Sequence, residues 1–100
     1  MNLFAVSDHT LRTPPPYSGI LRGVTRDAVL ELGREAGYGV EETPLNRYDL
    51  YTADEVFLTG TAAEVIGVSR LDARAIGCGT AGPVTKDLAT RFRALANRND

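Results

Sequence analysis

The chain of 100 residues has a single cysteine, Cys78, and a single lysine, Lys86. One cysteine excludes an internal disulfide. In Gly77-Cys78-Gly79 it also has no histidine nearby in sequence to activate it, so it reads as an ordinary loop thiol of a reducing compartment. No apolar run is long enough for a membrane span, and Met1-Asn2-Leu3-Phe4 opens into strand-like sequence without the basic start or cleavage site of a signal peptide. The expected location is the cytoplasm. A formal net charge of −2 supplies no clustered positive surface for nucleic acid or an acidic membrane. Neither a metal-ligand cluster, a cysteine–histidine or serine–histidine pair, nor a nucleotide fingerprint is present. Glu41-Glu42 and Asp54-Glu55 are neighbours along strand-like runs, where side chains alternate faces, so neither makes an acid–base pair. Ten of the eleven basic residues are arginine. Chemistry that needs an amine therefore has only Lys86 to draw on.

What is present reads as one domain, or a piece of one, of α+β class, with short mixed strands and two main helices over residues 1–100. Asn2 to Val6 and Thr10 to Thr13 form a hairpin around Ser7-Asp8-His9, with His9 in a left-handed turn position. Pro14-Pro15-Pro16 is a stiff spacer. Thr25 to Ala36 is helical, with Val29, Leu32 and Ala36 on one face, Asp27 in the first turn and Gly37 as terminator. Tyr38 to Thr43 is a strand stopped by Pro44. Asn46 caps a short helix, with Asp49 as the acidic half of a capping box. Strands follow at Glu55–Thr59 and Glu64–Val68, then a loop from Arg70 to Ala81. A last helix starts at Pro83, carries the stripe Val84, Leu88, Phe92 and Leu95, and frays after Ala96.

Two turns carry candidate chemistry. Gly23-Val24-Thr25 brings close-approaching backbone, a hydroxyl and free amides to the positive end of a helix dipole, which suits either an anion or a plain cap. Thr59-Gly60-Thr61-Ala62-Ala63-Glu64 joins two strands through small residues. It is either an ordinary connection or a place where the Thr61 and Ala62 amides meet a phosphate edge or a carboxylate.

In their order and flanks, Ile20-Leu21-Arg22-Gly23-Val24-Thr25-Arg26-Asp27 and Leu50-Tyr51-Thr52-Ala53-Asp54-Glu55-Val56-Phe57-Leu58-Thr59-Gly60-Thr61-Ala62-Ala63-Glu64 resemble the class IV aminotransferases. These are pyridoxal-phosphate enzymes of fold type IV. Gly82-Pro83-Val84-Thr85-Lys86 matches the same pattern, and the branched-chain amino acid branch is the nearest. The resemblance implies the C-terminal part of the large, cofactor-binding domain. It implies that Gly23, Val24, Thr25 and Thr61 hold the phosphate of pyridoxal 5′-phosphate and that Leu21 packs on its ring. Thr61 and Ala62 would receive the substrate α-carboxylate. It also implies amino-group transfer between a branched-chain amino acid and 2-oxoglutarate. The family's cofactor-anchoring lysine lies upstream of the matched segment, and Lys86 is not at that position. Met1 stands where the family has a glutamate, and Arg22 and Gly67 stand where proline is frequent. The chain is therefore expected to be inactive alone and to pair with an N-terminal half or another copy of itself. The alternative is a non-catalytic module that binds phosphorylated metabolites.

Overall fold

The computed structural model describes residues 2–15, 23–60, 64–77, 79 and 81–98. Five strands form one sheet: β1 (Asn2–Ser7), β2 (Thr10–Thr13), β3 (Gly39–Glu42), β4 (Glu55–Gly60) and β5 (Glu64–Val68), in the order β3-β2-β1-β4-β5. Neighbours run antiparallel except β2 and β3, which are parallel. That pair is parallel because β3 follows helix α1 (Val24–Glu35) in a crossover, whereas β1 and β2 are joined by a two-residue turn. Asp8 and His9 take φ of 50° and 59°, the left-handed pair that matches the twist of a tight hairpin.

Alternation along the strands sorts the core. Phe4 and Val6 of β1, Leu11 of β2 and Phe57 of β4 face α1 and α3 (Pro83–Arg98), meeting Val29, Leu30, Leu32, Val84 and Leu88. Phe4 and Phe57 are partners across β1 and β4, and their rings stack with centroids 4.7 Å apart. Phe92 and Leu95 extend the α3 stripe against this core. The opposite face holds a smaller cluster of Ala5, Val56, Ala53 and Ile76, flanked by Leu3, Leu45, Leu50, Val68 and Leu71.

Several boundaries differ from the sequence expectation. Helix α1 buries Arg26 and Leu30 as well as Val29, Leu32 and Gly33, while Ala36 is only half-buried. Helix α3 continues to Arg98 rather than ending at Ala96. The stretch from Arg70 contains a small hairpin, β6 (Arg70–Leu71) with β7 (Arg74–Ala75), turned by Asp72 and Ala73 at positive φ. Two-residue strands are too short to leave a periodic signal, and alanine is no turn marker. Tertiary contacts hold this hairpin: the Tyr51 hydroxyl of α2 (Arg47–Tyr51) donates to Asp72 at 2.6 Å, and the Arg74 guanidinium lies over the Tyr51 ring. The capping box at the start of α2 forms as expected, with reciprocal bonds of 2.9 Å between Asn46 and Asp49.

Candidate functional site

The first candidate turn sits at the N-terminus of α1. Gly23 is the cap residue in extended conformation, no side chain among the described residues caps the helix, and the first helical bond runs from the Asp27 amide to the Gly23 carbonyl at 3.1 Å. The amides of Val24, Thr25 and Arg26 therefore have no acceptor within the helix. The Val24 side chain is 86% exposed. Gly23 is pressed against β1 so closely that a Cβ there would collide with the Asn2 side chain. Glycine is what allows this approach.

The root of the second candidate turn lies at the same end of the sheet. Asn2, which Gly23 touches, pairs with Thr59, and Gly60 pairs with Glu64. The structure thus brings Gly23, Val24 and Thr25 beside the strand end that leads into the second turn. Leu21, Thr61 and Ala62 lie outside the described residues. The Thr59 hydroxyl, 2% exposed, makes no hydrogen bond.

Two polar residues important to this architecture were not singled out from sequence. Arg26, in the first turn of α1, is 1% exposed. Its guanidinium donates to the Pro14 carbonyl, to Glu42 and to Asp27, each at 3.2 Å. Glu55 is 7% exposed and accepts from the amides of Val84 and Thr85, at 3.1 and 2.7 Å, at the start of α3. An arginine in a helix and a glutamate opening a strand look solvent-facing one at a time. The available signal was position: Arg26 lies a turn before Leu30, and Glu55 alternates with Val56 onto the face of Phe57.

The adjacent carboxylates part company as strand alternation requires. Glu42 joins Arg26 on the helix-covered face while Glu41 pairs with Arg12 on the other. Asp54 is exposed and accepts the Asp8 amide. Lys86 is exposed, and its amide bonds Gly82 at the start of α3. That start is held by Glu55, which lies opposite Val6, whereas Gly23 lies by Asn2, opposite Thr59. Four strand steps, roughly 13 Å, separate those two ends of β4. Among the described residues no cluster of three or more histidine, cysteine or acidic side chains could hold a metal, and no helix is long and apolar enough to cross a membrane.

The family model for amino-transferase class IV matches residues 1–71. The chain belongs to that family. A branched-chain-amino-acid aminotransferase of Escherichia coli is 49% identical over 94 residues, covering 94% of this chain and 30% of the relative. Another from Pseudomonas aeruginosa is 42% identical over 96 residues, covering 96% of this chain and 31% of the relative. Among solved structures, the E. coli enzyme superposes with a TM-score of 0.88 over 94% of this chain and 32% of that one, at 49% identity. The enzyme from Thermobaculum terrenum, solved in its PLP-form, gives 0.90 over 99% and 33%, at 39% identity. The fold is therefore that of the fold type IV aminotransferases, and the chain spans about a third of the length of these relatives. The aligned relatives are branched-chain enzymes, as the turn motifs suggested.

Proposed function

We propose that this chain forms one wall of a pyridoxal 5′-phosphate site in a branched-chain amino acid aminotransferase. The observation that carries the reading is the start of α1, where Val24 and Thr25 present amides that lack helical acceptors. The fit is chemical. A phosphate dianion takes several N–H donors at the positive end of a helix, and among the described residues no side chain fills that role. In this reading the Val24 and Thr25 amides and the Thr25 hydroxyl bind the phosphate, with Gly23 letting the backbone approach. Leu21 packs on the ring, Thr61 binds a further phosphate oxygen, and Thr61 and Ala62 orient the substrate carboxylate. The cofactor, when bound, supplies the electron sink for transfer of the amino group between a branched-chain amino acid and 2-oxoglutarate. This chain's residues bind and orient. Lys86, exposed at the other end of the sheet, does not move the proton. That amine belongs to the remainder of such an enzyme.

The test is titration with pyridoxal 5′-phosphate, followed by borohydride reduction and peptide mapping. Saturable binding competed by inorganic phosphate is expected, without a stoichiometric adduct at Lys86. A full adduct at Lys86, or binding indifferent to phosphate, overturns the reading.

A second reading, a non-catalytic binding module that pairs with a separate N-terminal half or another copy, draws on the sheet face away from the helices. There Leu3 and Leu58 are half-buried and Ile66 is 38% exposed, an apolar strip across β1, β4 and β5. Size-exclusion chromatography separates the cases: a stable monomer counts against pairing.

A further inference from the structure

Arginine carries a charge that cannot be shed, so full burial demands partners on every side. Arg26 has three, from three parts of the chain: the Pro14 carbonyl after β2, Glu42 at the end of β3, and Asp27 in its own helix. The Pro14 contact ties the chain just before residues 16–22 to the helix turn just after them. The Glu42 contact ties the same turn to the sheet edge. Val24 and Thr25, whose amides have no acceptor within the helix, occupy the two positions immediately before Arg26.

The charges sharpen the point. Asp27 is 42% exposed and Glu42 36% exposed, and both pair with the guanidinium of the residue that follows Thr25. Without Arg26, the Glu42 carboxylate would lose the guanidinium it pairs with, and its charge would count against a phosphate at that turn.

We infer that Arg26 is a positioning residue for the anion-binding turn. It fixes the Gly23–Thr25 backbone against the sheet and neutralises Glu42 so that the turn can accept a dianion. The inference rests on the phosphate reading above, and the experiment separates the two. In the full chain, the Val24 and Thr25 amide resonances are followed during titration with inorganic phosphate, and amide hydrogen exchange is measured without ligand. Losing charge-assisted bonds of this kind in Arg26→Met should weaken phosphate binding by about tenfold or more. Arg26→Lys, which keeps the charge but not the fork, should recover part of it. The core variant Val29→Ala, destabilised by a cavity, should bind phosphate like the parent, which a merely structural role for Arg26 would not predict. Without ligand, the Asp27 amide that closes the turn on Gly23 should exchange about tenfold faster in Arg26→Met while the β1–β4 ladder is unchanged. Should Arg26→Met fail to fold, Glu42→Gln takes its place in the exchange measurement, with a smaller acceleration expected at Asp27. If the parent ignores phosphate, the cofactor reading falls, and the exchange data still decide positioning. Unchanged exchange at Asp27 in the folded variant, or unchanged phosphate affinity, overturns the inference.

Discussion

Helices α1 and α3 begin at opposite ends of the same sheet, and their N-termini are treated in opposite ways. At α3 a buried carboxylate, Glu55, fills the position an anion would take, each of its oxygens accepting one backbone amide. The fit is tight enough that a Cβ on Gly82 would collide with the Glu55 side chain. At α1 the cap residue is a glycine, no side chain among the described residues reaches the amides, and the neighbouring Val24 is largely exposed. Both helix starts offer the same partial positive charge. What differs, among the described residues, is whether a side chain supplies the counter-charge, and a helix start so filled is closed to a ligand.

The closed end is further secured at the other end of α1. Tyr38, just past that helix, donates its hydroxyl to Asp87 of α3 at 2.6 Å, and Asp87 also accepts from Arg91 at 2.9 Å. The Tyr38 hydroxyl bond holds the Asp87 carboxyl below the usual carboxylate range, aided by Arg91. The same bond, with burial and the negative charge beside it, raises the Tyr38 phenol above its ordinary value.

Three changes would break or sharpen this contrast. Glu55→Ala removes both acceptors and leaves two buried amides unpaired, so denaturant unfolding should show a loss of about 3 kcal/mol. If the closed end owed little to this cap, the loss would be well under 1 kcal/mol. Tyr38→Phe removes one hydrogen bond across α1 and α3, expected to cost about 1 kcal/mol near neutral pH. Its pH dependence follows from the directions of the shifts. The depressed Asp87 contributes stability that is present above the unfolded carboxylate value, about pH 4, and lost as pH falls through the folded one. The raised Tyr38 contributes stability present below about pH 10 and lost as pH rises through its folded value. Stability of the parent measured against pH should therefore fall on both flanks more steeply than that of Tyr38→Phe, and identical profiles would refute the coupling. Thr59→Val is the smallest change. The hydroxyl is buried without a partner near the open end, so replacing it by a methyl should leave stability unchanged or raise it by up to about 1 kcal/mol. A clear loss in a thermal melt would mean that the hydroxyl has a bonding role at that end.

Much of this contrast was legible one piece at a time. Gly23 ahead of Thr25, the box at Asn46 and Asp49, the turn at Asp8 and His9, and Pro83 opening α3 are local signals, each formed by groups within a few residues of one another. Glu55 was not legible as a cap, because its two amide donors lie 29 and 30 residues away. Arg26 escaped for the same reason, its partners Pro14 and Glu42 being 12 and 16 residues distant. The β6–β7 hairpin was read as loop because its shape is held by α2, not by its own propensity.

The sequence by itself determined the larger elements, the alternation that separates Glu41 from Glu42, and the family to which the turns belong. These depend on spacing along the backbone, where geometry is fixed by covalent structure. Only the tertiary structure decided which helix start is plugged and which is open, and that a charged Arg26 lies fully buried behind the open one. A charge is buried or exposed according to the partners that folding brings to it, and the order of residues alone does not display those partners.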